Sequence, residues 1–240
     1  MDYIEAGSLS FSELNETIRS AGAKCRVSAC LGQRFIAAGM SRKSIEIDGI
    51  PGNALGAYLN GADITVHGNA QDAVGDTMSA GRIVIHGNIG DAAGYAMRGG
   101  EIFVEGNAGY RAGIHMKEFE EKVPSLVIGG VAGSFLGEYQ AGGIIVVLGI
   151  GADGKRIVGD FPCAGMHGGE MYLRGACEDV AVPDQVSART VGKDELDRIE
   201  GIVREFCDRF GYDEDFLLEG PFIKVVPNTN NPYRQMYVGN

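Results

Sequence analysis

The chain has 240 residues, with 32 acidic against 21 basic side chains, a formal charge of −11 at pH 7, and 38 glycines against 7 prolines. That charge opposes binding to phosphate backbones or anionic lipid, whose attraction needs clustered Lys and Arg, so nucleic acid and membrane surfaces are not expected partners. Glycine far above its usual share of about 7 % describes a chain that turns tightly and often, while 45 % apolar residues give it a core.

No charged-then-apolar leader stands at Met1-Asp2-Tyr3. The longest apolar run, Gly142 to Ala152, is far short of the roughly 20 residues that span a bilayer. A cytoplasmic protein is expected. The five cysteines, Cys25, Cys30, Cys163, Cys177 and Cys207, are odd in number and form no Cys-x-x-Cys, which suggests neither a disulfide framework nor a zinc or iron–sulfur site.

The first predicted element is a helix. Ser10-Phe11-Ser12-Glu13 reads as a capping box, and the helix it opens should stop near Gly22. Residues 1–36 are assigned to this N-terminal helix and cap.

A strict repeat follows. Gly49, Gly68, Gly87 and Gly106 lie 19 residues apart, as do Gly56, Gly75, Gly94 and Gly113, and so do Met40, Leu59, Met78, Met97 and Met116. The register survives two insertions, one after Met116 and one around Ala152 to Gly159. Beyond them Gly130, Gly137, Gly149 and Gly175 continue the pattern. Each unit holds a short alternating strand, such as Ile83-Val84-Ile85-His86 or Ile102-Phe103-Val104-Glu105, which puts Ile83 with Ile85, and Ile102 with Val104, on one inward face. Nineteen residues are too few for a βαβ unit but suit one coil of a parallel β-helix. Residues 37–178 are therefore expected to form an all-β, single-stranded parallel β-helix of about seven coils. Its glycines should sit at corners where positive φ or close backbone approach excludes a Cβ, so that Val in place of Gly94 should unfold the coil.

Residues 179–240 form the last part. A helix over 193 to 210 places Leu196, Ile199, Ile202, Val203 and Phe206 on one face. A strand is expected at Phe222 to Val226, and an extended tail follows. A solenoid has two open ends, and the flanks are expected to cover them.

Candidate chemistry is sparse. His67, His86 and Glu105 share one phase on three successive coils. Two imidazoles and a carboxylate can bind a metal, yet stacked like residues are also the ordinary result of a repeat, and no metal is assigned. Asn69, Asn88 and Asn107 form a second column, read as an amide ladder along the axis. Gly149 to Arg156 nearly matches a phosphate-binding loop, but Arg156 stands where Ser or Thr should hold magnesium. Gly133-Ser134-Phe135-Leu136-Gly137 is not a Gly-x-Ser-x-Gly elbow, since its serine is displaced by one. Cys163 occupies a phase otherwise held by Gly or Ala, which favours packing over a reactive thiol. No catalytic or cofactor-binding residue is assigned.

The string Gly99 to Gly109, with the phrases GNALGAYLNGADITVHGNAQDAVGDTMSAGRIVIHGN, AGYRAGIHM, YQAGGIIVVLG and CAGMHGG, resembles the GXGXG family. That family includes the C-terminal β-helical domain of the glutamate synthase large subunit and the C subunit of formylmethanofuran dehydrogenase. The resemblance spans about residues 25 to 178 and is more specific toward glutamate synthase. It implies a right-handed β-helix without catalytic residues. It further implies a stand-alone scaffold subunit, as in archaeal-type enzymes split into separate polypeptides, that holds a glutaminase subunit and an FMN- and iron–sulfur-bearing synthase subunit in register while ammonia passes between them. Those cofactors would sit in the partners, with none in this chain. Self-association of the isolated chain stays open. The alternative within the family is a scaffold of a molybdenum or tungsten formylmethanofuran dehydrogenase. A contrasting reading from another class is an independent small hydrolase, against which the missing nucleophile elbow stands.

Overall fold

In a computed structural model, residues 1–175 and 180–228 are described. They form one 11-stranded sheet in the order β1-β2-β3-β4-β5-β6-β7-β8-β9-β11-β10. Strands β1 (Asp2–Glu5), β2 (Lys24–Leu31), β3 (Ser44–Ile50), β4 (Asn60–His67), β5 (Ala80–Ile85), β6 (Glu101–Val104), β7 (Ser125–Ile128), β8 (Ala141–Val147) and β9 (Gly168–Arg174) are stacked in parallel, one per coil. The chain is thus a parallel β-solenoid of about eight turns at 19-residue spacing. The seven rungs read from the repeat are β3 to β9, and β2 adds the eighth. Its coil keeps the period but not the glycines: Cys30 faces Gly49 across the ladder, and Ala37 stands 19 residues before Gly56.

The stack is in register because each coil repeats the same alternation. Cys25, Ile45, Ile64, Ile83, Ile102 and Leu126 pair in sequence on the inner face, all buried. A second ladder on another side of each coil runs through Ala70, Ile89, Ala108, Ala132 and Val158. One apolar cluster extends from Ile4 to Val225 along the inside.

The two glycine columns serve different needs. Gly68, Gly87 and Gly106 are sites of close stacking: a Cβ on Gly87 would lie 2.7 Å from the Gly68 carbonyl oxygen, and one on Gly106 would lie 2.8 Å from that of Gly87. Gly56, Gly75, Gly94, Gly113 and Gly137 instead have φ between +64° and +70° and point at core side chains. Gly149 and Gly175 also adopt positive φ, +65° and +105°.

Helix α1 (Phe11–Ser20) starts on the expected capping box. The Ser10 hydroxyl accepts from the Glu13 N–H, and the Glu13 carboxylate accepts from the Ser10 N–H. Its Leu14 and Ile18 close the near end of the core. Asn15 completes this lid, since its Oδ1 accepts from the Ala37 N–H at 2.8 Å and its amide donates to the Phe35 oxygen at 3.0 Å. End-coil groups with no further coil to pair with are so satisfied.

The C-terminal part behaves differently from a simple plug. The far end of the ladder is closed by β11 (Phe222–Pro227), antiparallel to β9, with β10 (Val186–Val191) paired outside it. Helix α2 (Asp197–Phe210) and the short α3 (Glu214–Glu219) pack against the outward face of the sheet. There Leu196, Ile199, Val203 and Phe206 meet Val84, Phe103, Val127 and Val146 in a second core. Those four sheet residues are the outward members of their alternating strands. An apolar outward column was the sequence signal that something covers it. Helix α2 ends at Gly211, φ +76°. The expected tail, residues 229–240, lies outside the described residues, as does Cys177.

Candidate interaction surfaces

The polar column runs beside the second core. Arg26 donates to Asp48 at 2.6 Å and 2.8 Å and to Glu46 at 3.2 Å, and its hydrogen bonds hold the Asp48 carboxyl below the ordinary range. His67 lies 3.7 Å from Glu46 and stacks on His86, 5.4 Å between ring centres. His86 is 3.5 Å from Glu105 and meets the Phe210 ring edge-on at 5.0 Å. The stacked column of the sequence is present, paired carboxylate by carboxylate and touched by the end of α2. Among the described residues no three His, Cys, Asp or Glu side chains converge on a point that could hold a metal.

Asn69, Asn88 and Asn107 form the axial ladder through the backbone. The Asn69 side-chain oxygen accepts from the Asn88 N–H, that of Asn88 from the Asn107 N–H, and that of Asn107 from the Val131 N–H, each at 2.8 Å. A second such ladder was overlooked in the sequence. Asp72 accepts from the Asp91 N–H at 2.9 Å and Asp91 from the Tyr110 N–H at 2.7 Å, although the spacing of 19 was there to read. Two coil pairs further, the Ser134 hydroxyl accepts from the Asp160 N–H at 2.9 Å, which accounts for this serine. Arg156, in the glycine-rich loop, is tied back to Asp160 at 3.1 Å and to the Gly159 oxygen. Cys163 is fully buried, its sulfur 3.6 Å from that of Met171, and burial pushes its thiol up to about 12. Such a thiol is not a nucleophile near neutral pH.

Ion pairs fasten the extension. Arg82 bridges Glu101 on the next coil at 2.6 Å and Glu205 of α2 at 2.9 Å. Glu170 holds Lys224 at 3.2 Å and accepts from the Tyr172 hydroxyl at 2.6 Å. Desolvation pushes the Glu170 carboxyl up, but the hydrogen bonds from Tyr172 and Lys224 outweigh it and leave it lowered.

The remaining surface is at the corners. Every coil from the first to the seventh turns through three alternate residues in the left-handed region, such as Ala54, Gly56 and Tyr58. The middle one faces the core and is small: Ala37, Gly56, Gly75, Gly94, Gly113, Gly137, Cys163. The leading one is Phe35 in the first coil, which packs on Phe11 of α1. In coils two to four it is Ala54, Ala73 and Ala92, whereas in coils five to seven it is Arg111, Phe135 and Phe161, at φ of +56°, +61° and +57°. A non-glycine residue held there costs about 1–2 kcal/mol. Phe161 is 64 % exposed all the same. Tyr110, Phe135 and Phe161 form an aromatic row, with ring centres 5.6 Å and 5.3 Å apart, and Arg111 lies over Phe135 at 4.7 Å. In a parallel row Tyr95, His115 and Tyr139 touch at 5.9 Å and 5.2 Å. The switch from alanine to large side chains at one repeat phase was the signal for this surface, and the sequence reading passed over it.

The sequence profile of the GXGXG motif family matches residues 5–228. The chain belongs to that family. A relative from Methanocaldococcus jannaschii, an uncharacterised protein, is 42 % identical over 248 residues, covering 98 % of this chain and 95 % of the relative. Among solved structures, a chain of the formyltransferase/hydrolase complex of Methylorubrum extorquens, crystallised with methylofuran, superposes with a TM-score of 0.60 at 18 % identity, over 92 % of this chain and 89 % of that one. At that identity the likeness establishes a shared fold. The GXGXG repeat accounts for the glycine columns and the parallel ladder together. No helix among the described residues is long and apolar enough to cross a membrane.

Proposed function

We propose that this GXGXG chain is a non-catalytic scaffold subunit of a multi-subunit enzyme, of the glutamate synthase type that converts glutamine and 2-oxoglutarate to glutamate. The observation that carries the reading is the single core from Ile4 to Val225, which makes one rigid body of all the coils and fixes every outward position relative to every other. A prism of eight strand spacings of about 4.8 Å is on the order of 40 Å long, enough to hold two globular partners at a set distance. Its role is positional: a glutaminase subunit and an FMN- and iron–sulfur-bearing synthase subunit are held so that ammonia passes between them without loss to solvent. The order of the repeat phrases and the places of both insertions support this member of the family.

A second reading is favoured by the fold likeness to the formyltransferase/hydrolase complex. In that reading the same scaffold belongs to a molybdenum or tungsten formylmethanofuran dehydrogenase-type enzyme, with the metal and its pterin in other subunits. Purification of the tagged chain from its own cells, with the accompanying polypeptides identified and their absorbance recorded, decides between the two. A glutaminase chain with a flavin and iron–sulfur spectrum supports the first. A molybdopterin protein overturns it in favour of the second, and recovery of the chain alone overturns both.

A further inference from the structure

Between the row of Tyr95, His115 and Tyr139 and the start of the strands lies a recess of about 360 Å³, lined chiefly by those three with Arg98, Lys117 and His167. Its lining contains no Asp or Glu, in a chain whose acidic side chains outnumber the basic by eleven. Among the described residues Arg98 and Lys117 have no carboxylate partner. Arg98 is instead positioned by two backbone oxygens, those of Ala96 at 2.8 Å and His115 at 3.1 Å, which leaves the rest of its guanidinium free to donate outward. At or next to the leading positions of the same coils stand the exposed rings of Tyr110 and Phe161, with the half-buried Phe135 between them.

Three independent features coincide on this corner of coils five to seven. Large side chains occupy left-handed backbone positions where coils two to four have alanine, while Phe35, at the same phase of coil one, packs on Phe11 of α1. The composition, tyrosine, phenylalanine and arginine in rows, is that of the central contacts of protein interfaces. The recess lining is basic in an acidic chain, whereas Arg111 at the corner beside it is already paired with Glu138 at 2.8 Å.

We propose that this corner is a docking surface for an acidic segment of a partner subunit. Carboxylates of that segment pair with Arg98 and Lys117 in the recess, while its apolar side chains lie on the Phe135 and Phe161 rings. The proposal rests on the scaffold reading above and names the chemistry of one of the partners. Charge complementarity selects the occupant: a segment rich in Asp and Glu is attracted to the recess and repelled by the rest of this acidic surface, so the docking place is specified as well as favoured.

The test uses the full tagged chain in its own cells, with the photo-crosslinking residue p-benzoylphenylalanine placed at Tyr139 or Phe161. The same residue at Tyr58, which holds the Tyr139 position on coil two, serves as the control. The expected result is a product from positions 139 and 161, and little from 58, joined to another polypeptide in a stretch where Asp and Glu predominate. Lys117→Glu, alone and with Arg98→Glu, should lower its yield at least tenfold while the isolated protein keeps its melting temperature. Lys117 is exposed and makes no side-chain contact that folding needs, so the single variant remains informative if the double one misfolds. Products joined to a second copy of this chain, joined to a stretch without acidic excess, or unaffected by charge reversal overturn the surface. Partner capture through position 58 alone overturns the surface and leaves the scaffold standing. No partner at any position overturns both.

Discussion

Gly75 and Gly94 hold the same corner on successive coils, with φ of +68° and +67°, and both face the Cδ1 atom of Ile102. They differ in room. A Cβ on Gly75 would lie 2.5 Å from that atom, whereas one on Gly94 would lie 3.8 Å away, an ordinary contact. Gly94→Ala should therefore lose only the backbone term, about 1–2 kcal/mol. Gly75→Ala should lose that and a further 1–3 kcal/mol, roughly, for displacing a packed isoleucine in a closed core. With a urea slope of about 3 kcal/mol per molar for a chain of this size, the two midpoints should differ by about 0.3–1 M. Equilibrium unfolding followed by far-ultraviolet circular dichroism reads this directly, provided both variants keep the parent slope. Equal midpoints would show that conformation alone explains the glycine column, and that the spatial argument is wrong. Gly87→Ala supplies the converse case. Its φ is not in the left-handed region, so whatever it loses comes from the Gly68 carbonyl and the Asn69 side chain beneath it.

Asn88→Ala removes the acceptor for the Asn107 N–H and should cost about 0.5–1.5 kcal/mol, while Asn88→Asp retains the acceptor and should melt within a degree or two of the parent. Phe206→Ala opens the second core against the sheet and should cost about 3–5 kcal/mol in equilibrium unfolding; a loss under 1 kcal/mol would mean that α2 is not held there. Cys163 should resist dithionitrobenzoate at pH 8 in the folded chain and react once urea unfolds it, and rapid native labelling located there by peptide mapping would refute its burial. Burial raises the thiols of Cys30 and Cys207 to about 11 and that of Cys163 to about 12, from 9.0. Above pH 9 the unfolded chain thus binds fewer protons than the folded one. This contribution to stability is whole below pH 9 and is lost as pH rises toward 11 to 12. Cys163→Ala, matching Ala37 at the same corner of coil one, should flatten part of that decline in urea midpoint.

The parallel ladder was legible because its signal is written at three phases of one period: the stacking glycines, the corner glycines and the methionine column. Both insertions could be placed because the separation of seven between Gly130 and Gly137 survived them. The first coil is marked in the sequence only by Met40, for a local reason. Cys30 and Ala37 are small enough to serve where glycine serves elsewhere, so the geometry persisted while the letters changed. The placement of α2 was harder, since its apolar face says that it packs but not on what. The answer lay in Val84, Phe103, Val127 and Val146, residues on the face of the strands turned away from the interior. The corner surface was hidden in another way, because a repeat draws attention to what is constant, and Arg111, Phe135 and Phe161 matter by departing from it.

Each coil bonds to its two neighbours, and the end structures, Asn15 with α1 on one side and β11 on the other, touch only the terminal coils. The molecule is in that sense a ruler with fixed graduations. Excising one whole unit, such as residues 69–87, keeps the strand register of the coils that remain, at the loss of the Arg82, Val84 and His86 contacts to α2, whereas removing eighteen residues would misalign all that follow. The distance between partners seated at opposite ends can therefore change in inheritance or by engineering only in steps of about 4.8 Å, each with a turn of the chain.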